Sequence, residues 1–424
     1  MSLACGLDFG TSNSTMGIAT HNGGPRLLAL EGGKPTIPSV LFFGFEDDAV
    51  HFGRTAVAEY VTGAEGRLMR SLKSVLGTSL IGDSTRVKAR SYGFVEILGI
   101  FIAELKRRAE TELGGPVDHV VVGRPVHFVD DDPKADAEAQ RQLESAVRAQ
   151  GFSQIEFQFE PIAAALDYER QVSDEQLALI VDLGGGTSDF SVIRVSPQRA
   201  RKPERGDDIL ATAGVHVGGT DFDRLLSMAK VMPELGLGTE TRDGKRYLPV
   251  APYFDFATWH RINRLYHAKP LRDLIGTRNE ARRPELVAQF VALVEDRQGH
   301  RLAGAVEEAK IALSDAAMHQ FRFEARGALI EAEMTADDLA RALEASVERI
   351  ATTIGETLRR AGVGAAAIDS LILTGGSTLV PVIVARLRAM FPDAALVRTD
   401  VLGSVGLGLA MEAALRFGRP RRLT

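Results

Sequence analysis

Short apolar runs that stop abruptly at glycine or aspartate recur along the chain: Val120-Val121-Val122-Gly123, Leu179-Ile180-Val181-Asp182 and Leu371-Ile372-Leu373-Thr374-Gly375. Runs of this kind read as buried strands that hand loops to a common site at their carboxyl ends. Between them the apolar positions shift to a helical period. The clearest case starts at Thr335, whose hydroxyl can cap together with Asp338, and carries Leu339, Leu343, Val347, Ile350, Ile354 and Leu358 on one face as far as Gly362. Further helices are predicted over 138–150, ending at Gly151, over 301–314, and over the Ala- and Leu-rich 405–417. Strands alternating with helices predict an α/β architecture.

Two turns stand out against this pattern. Asp182-Leu183-Gly184-Gly185-Gly186-Thr187 follows its apolar run directly, and Asp8-Phe9-Gly10-Thr11-Ser12-Asn13 echoes it near the N-terminus. Glycine lets backbone N–H groups approach a phosphate closely, and Thr or Ser hydroxyls add donors. Each Asp would place negative charge beside that phosphate, so a magnesium ion with its water shell is the natural mediator. Neither turn has the Gly-Lys-Ser/Thr ending of a P-loop or the dinucleotide Gly-x-Gly-x-x-Gly spacing. Taken singly, either turn could be an ordinary tight hairpin loop.

The chain has 424 residues, 45% hydrophobic and 25% charged, enough for two or more cored units. Its formal net charge of −6 gives no general attraction to nucleic acid or to an anionic membrane. With Cys5 as the only cysteine no intramolecular disulfide can form, which fits a reducing cytoplasm. The apolar-rich stretch 94–105 is broken by Glu96 and Glu104 and is too short to span a bilayer. Between 196 and 208, Arg199, Arg201, Lys202 and Arg205 predict a solvated loop, with a partner site as the alternative. The stretch 231–300, with the sole tryptophan Trp259, predicts a separate subdomain on the second half. Arg419, Arg421 and Arg422 predict a solvated basic end.

Three longer stretches, from Gly6-Leu7-Asp8 to Ser14, from Val181-Asp182-Leu183 to Ser191 and from Leu373-Thr374-Gly375 to Pro381, resemble the signatures of the DnaK chaperone family, the seventy-kilodalton heat-shock proteins. Thr36-Ile37-Pro38-Ser39-Val40, Glu160-Pro161-Ile162-Ala163, Gly218-Gly219-Thr220-Asp221-Phe222-Asp223 and Glu307-Glu308-Ala309-Lys310 to Ser314 are similar as well. Gly123-Arg124-Pro125-Val126-His127-Phe128 and the long second-half insertion are most similar to the family's YegD branch of chaperone-like bacterial ATPases.

The resemblance implies an actin-like ATPase fold, a duplicated ribonuclease H-like unit with ATP or ADP and Mg2+ between two lobes. The first lobe would span 1–178 with a small subdomain at about 39–92. The second would span 179–424 with an insertion at about 229–300, the helix at 405–417 packing back on the first lobe. By motif matching, Gly10, Thr11, Ser12 and Asn13, with Gly184, Gly185, Gly186, Thr187, Gly218 and Gly219, would hold the phosphates. Asp8 and Asp182 would organise the metal through water, while Asp8, Glu160, Thr187 and Asp189 form the catalytic set around the attacking water. Gly375, Gly376 and Ser377 would approach the sugar side, and Glu307, Lys310 and Ser314 would line the adenosine pocket. At the helical 100° per residue these last three lie within about 60° of one another. A solvated charged helix face is their alternative.

Two positions depart from the family pattern. Val57 aligns with a family lysine, leaving Arg54, Arg70 or Lys73 to reach the γ-phosphate, and Leu379 stands for an arginine that stacks on adenine. The expected function is therefore Mg-dependent ATP binding with weak hydrolysis. Because the chain stops at Thr424, it would resemble a chaperone nucleotide-binding unit standing without its substrate-binding domain. A nucleotide-binding scaffold without turnover and a sugar-kinase or exopolyphosphatase activity are the alternatives. ATP is the expected partner, with a client or partner protein of unknown identity.

Overall fold

A computed structural model describes residues 3–20, 24–129, 132–202, 204–398 and 403–418. The basic end with Arg419, Arg421 and Arg422 lies outside the described residues. Two mixed sheets share one topology. In the first, the strands lie in the order Gln154–Phe159, Val117–Arg124, Leu3–Phe9, Asn13–Thr20 and Gly24–Leu27, with Thr36–Pro38 also paired to Asn13–Thr20. In the second the order is Ala395–Arg398, Ser370–Thr374, Gln176–Leu183, Ser188–Val195 and Ile209–Val215. In both, the earliest strand is central, parallel to its neighbour on one side and antiparallel to the strand that follows it in sequence. The carboxyl ends of those central strands deliver Asp8 and Asp182, each at a reversal of strand direction where open α/β sheets place their ligands.

The apolar runs form strands because both faces of each sheet are covered. Val120, Val121 and Val122 are fully buried, as are Leu179 and Val181. One core surrounds the first sheet with Leu7, Phe9, Phe101 and Val122; another surrounds the second with Phe190, Phe290, Leu343 and Leu373. A third apolar cluster joins the halves through Val121, Ile162, Ile180, Ile372 and Leu409. Its keystone is the helix Ser404–Phe417, which packs on Leu3–Phe9, Asn13–Thr20 and the helix Glu160–Glu169. Glycines make that approach possible. A methyl group on Gly408 would run into the Ala163 carbonyl, and one on Gly6 into the backbone of Leu409 and Ala410.

The helices agree with the periodicity and shift at their ends. Ala336–Ala361 begins with the Thr335 and Asp338 capping box, the Asp338 N–H donating to Thr335 Oγ1 at 3.1 Å, and ends at Gly362 with φ 69°. Pro133–Arg148 starts earlier than the period suggests because the Asp132 carboxylate accepts from Lys134 and Ala135 N–H groups. The third helix runs Gly299–Asp315. Among the described residues no helix is long and apolar enough to cross a membrane.

One expectation is corrected. The stretch predicted as a solvated loop is anchored by Arg205, whose side chain is fully buried and donates to both Glu169 carboxylate oxygens, at 3.0 and 2.7 Å, and to Asp208. Arg199 reaches Asp208 from the other side. The sequence run looked like a charged surface because the carboxylate it neutralises, Glu169 at the end of its helix, lies far away in sequence. The buried side chains of the stretch 231–300 are continuous with those of the second half: Tyr253, Phe256 and Phe290 belong to the cluster that also holds Leu179 and Phe190.

Arg205→Met should leave the Glu169 carboxylate buried without its partner and lower the unfolding free energy by about 3–5 kcal/mol, most of it recovered on adding Glu169→Leu. Urea denaturation of the two variants checks this. A single variant as stable as the wild type contradicts it.

Candidate nucleotide cleft

Between the two sheets lies a cleft of about 1480 Å³. The two glycine turns meet there: a side chain on Gly185 would collide with the Ser12 hydroxyl. Their backbone carbonyls are held from behind. Ser39 donates from its N–H to Ser12 O at 2.9 Å and from its hydroxyl to Gly10 O at 2.7 Å. Gly219 N–H donates to Gly184 O at 3.0 Å and Thr220 N–H to Gly185 O at 2.8 Å. The N–H groups of Thr11, Ser12, Gly185 and Gly186 donate to no described residue. Four free donors on two rigid turns make an anion cradle.

Every residue assigned to the site from sequence lines this cleft except Gly218. Gly218 sits behind the second turn, where a methyl group would strike the Gly185–Gly186 backbone. Gly375 adopts φ 81° so that the chain can pass close to the Leu183 carbonyl, and Ser377 Oγ donates to Gly184 O at 3.2 Å. Of the adenosine-side set, Lys310 is already engaged. Its ammonium pairs with Asp223 at 2.7 Å and donates to Gly219 O at 3.3 Å, tying the helix Gly299–Asp315 to the phosphate turns. Leu379 and Ile311 expose apolar surface in the same end of the cleft.

The structure separates the three candidate cations. Arg54 is committed to Glu31 at 2.8 Å and to the Thr36 carbonyl at 2.7 Å. Arg70 lies over the Trp259 ring, 4.2 Å from its centre. Lys73 stands on the cleft floor in an ion pair with Glu160. Burial pulls its ammonium down, but the Glu160, Asp8 and Asp182 carboxylates outweigh that and hold it above its ordinary range. Val57 lines the cleft beside the Val40, Phe42 and Ala56 cluster. Of the three, Lys73 is the one whose ammonium meets the carboxylates of the cleft floor; a lone lysine between Leu72 and the apolar Val75-Leu76 is its only mark in the sequence.

The carboxylates themselves are under electrostatic tension. Burial, then the nearby Glu160 charge, pushes Asp8 up to about 7. Burial, then repulsion from Asp189, Glu160 and Asp8, pushes Asp182 up to about 8. No described residue donates a hydrogen bond to either carboxylate. Oxygen donors with unmatched negative charge fit a hard divalent cation. Among the described residues no three His, Cys, Asp or Glu side chains converge to enclose a metal directly, so an ion here would keep much of its water shell.

The family described as Hsp70 protein matches residues 4–232 and 289–422. The chain belongs to the Hsp70 family. The mixed α/β halves around the cleft are that family's actin-like ATPase fold. Among curated proteins, the chain is 26% identical over 437 residues to the chaperone protein HscA homolog of Aromatoleum aromaticum, with 98% of this chain and 58% of that protein covered. It is 27% identical over 438 residues to the HscA homolog of Shewanella putrefaciens, covering 98% and 59%. To the chaperone protein DnaK of Thermosipho melanesiensis it is 26% identical over 426 residues, covering 97% and 59%. The chain spans somewhat under three-fifths of the length of these relatives.

The unmatched segment, 233–288, contributes half of a contact across the cleft mouth of this Hsp70 chain. Tyr60, from the small three-stranded sheet region of the first half, packs on Trp259 with ring centres 5.5 Å apart and on His300 at 4.7 Å. Asn263 donates to the Tyr60 hydroxyl. His300 Nε2 donates to the Trp259 carbonyl at 3.1 Å; burial pushes its pKa down to about 4, so the ring is neutral at physiological pH. Trp259 was noted in the sequence only as a lone tryptophan, and nothing local marks it as a bridge.

Since the Asp182 carboxyl is raised in the folded state, ionising it costs stability as pH climbs from the unfolded value near 4 to about 8. Asp182→Asn should therefore raise the melting temperature of the ligand-free, metal-free protein strongly at pH 8 and only slightly at pH 5. Thermal melts at the two pH values test this, and an equal shift at both would contradict it.

Proposed function

We propose that this chain binds ATP or ADP with Mg2+ in the cleft and hydrolyses ATP slowly, as the nucleotide-driven part of a chaperone-like cycle acting on a protein client. The observation that carries the reading is the meeting of Gly185 with Ser12 beside the Lys73–Glu160 pair. It gathers phosphate donors, one cation and a water-orienting carboxylate in one place. The names of the relatives, HscA homolog and DnaK, add the chaperone role. A cytoplasmic location and placement in the YegD branch belong to the same reading.

In this reading the free N–H groups of both turns bind the triphosphate. Magnesium, where bound through Asp8 and Asp182, would neutralise charge between those carboxylates and the phosphates. Lys73 offers its ammonium to the charge that develops on the transferring phosphoryl group. Glu160, held by that ammonium, orients water together with Thr187 and Asp189. Alignment and charge stabilisation supply most of such catalysis, so the basicity of the carboxylate matters less than its position. Lys73 favours turnover over a scaffold without it, the alternative that rests on Val57. At the base end, Leu379 and Ile311 give apolar contact without cation–π support, which favours modest affinity.

Calorimetric titration with ATP and with ADP, with and without Mg2+, followed by product analysis, tests the assignment. Binding should require both the phosphates and the metal, and Lys73→Met should slow turnover by about 10²-fold with a much smaller change in affinity. Absence of nucleotide binding would sink the assignment. Tyr60→Ala should speed nucleotide release by loosening the mouth and shift Trp259 emission, read by stopped-flow fluorescence; unaltered release would show that the ring contact does not hold the mouth.

A further inference from the structure

Against the cleft floor lies a second cavity of about 50 Å³. It shares Glu160, Asp182 and Asp189 with the main cleft, and Pro125 and His127 among others, so the carboxylates stand in the wall between the two. The wall that is its own comes from the two halves: Val126 and Pro161 on the first, and Ser191, Thr212 and Gly214 on the second.

The sheet pattern explains why it is polar. Asp189 and Ser191 alternate onto one face of the strand Ser188–Val195, and register sets Gly214 opposite Asp189 and Thr212 opposite Ser191. A polar stripe thus runs from the cleft floor outward. Ser191 is only 4% exposed, yet its hydroxyl finds Thr212 Oγ1 at 3.1 Å, which in turn donates to the Phe190 carbonyl at 3.1 Å. Gly214 keeps the stripe open, since a methyl group there would come within 2.6 Å of Asp189 Oδ1. Gly214, which lines this cavity and not the main cleft, is exposed and places the cavity's outer end at the surface.

Size and charge narrow what can use this passage. Each water needs roughly 10–15 Å³ of such space and two or more polar partners, so the cavity has room for a short file of water. A phosphate leaving this way would have to pass three carboxylates, whereas neutral water meets no such barrier. We propose that this cavity is a water conduit: it feeds the cleft floor from the surface at Gly214 while the nucleotide fills the cleft and the aromatic contact closes the mouth. The inference rests on the ATPase reading. In that reaction the water oxygen bonds to the γ-phosphorus, the β–γ bridging P–O bond breaks with its electron pair going to ADP, and the water's proton passes to a carboxylate of the shared wall.

The test is single-turnover hydrolysis in the full chain, with ATP affinity measured in parallel, for two plugging variants made separately. Thr212→Leu fills the middle of the passage, and Ser191→Val, on the strand opposite, narrows the same bore and removes its hydroxyl. Each should slow the hydrolysis step by about tenfold or more while ATP affinity stays within about twofold, and Thr212→Ser, which keeps bore and hydroxyl, should retain the wild-type rate. Unaltered hydrolysis in both plugged variants overturns the conduit and leaves the ATPase reading standing. So does an equal fall for Thr212→Ser, which would mean that Thr212 acts by fixing the strand. A wild type that binds ATP without ever releasing phosphate overturns the ATPase reading first, and the conduit with it.

Discussion

The floor of the cleft holds more negative charge than its neighbours balance. Asp8, Glu160, Asp182 and Asp189 repel one another along the cleft floor, Asp8 and Asp182 being half-buried, with the Lys73 ammonium paired to Glu160 among them. Such a cluster disfavours the folded state on its own, and something else must hold it. Asp8 and Asp182 are the last polar residues of central strands whose middle residues are buried in a sheet core. The two strands are locked together by the apolar cluster around Ile180, Ile372 and Leu409. Close approach of the helix Ser404–Phe417, permitted by Gly408 and Gly6, completes that lock. The electrostatic cost at the site is offset by packing several ångströms away, and the same strain makes the site receptive to a divalent ion.

The parts of this arrangement written locally were readable before any coordinates. Abrupt endings of the apolar runs marked the strands, the glycine turns marked the phosphate cradle, and Thr335 with Asp338 marked a helix start. Duplication was visible as an echo of one turn in the other and emerges as one strand order used twice. What could not be read depends on tertiary proximity. Lys73 and Glu160 are far apart in sequence, as are Arg205 and Glu169, and neither pairing leaves a periodic trace. Motif matching expected a family lysine where Val57 stands, while the ammonium comes from Lys73 on a separate turn of chain. For the same reason the run of arginines after Ser196 was read as surface. Charge along the sequence does not reveal which carboxylate waits beneath.

The cleft therefore has two boundaries of different character. Its mouth is closed by rings: Tyr60 from the first half against Trp259 and His300 from the second. Because His300 is neutral down to about pH 4, ordinary changes of pH do not charge that stack. Arg70 lies over Trp259, its guanidinium pulled below its ordinary range by burial and partly held up by the charge of Glu307, which lines the same cleft. The rear boundary is carboxylate and hydroxyl, open to water and closed to anions. A cleft so bounded can keep its nucleotide and still admit the one small reactant that hydrolysis needs.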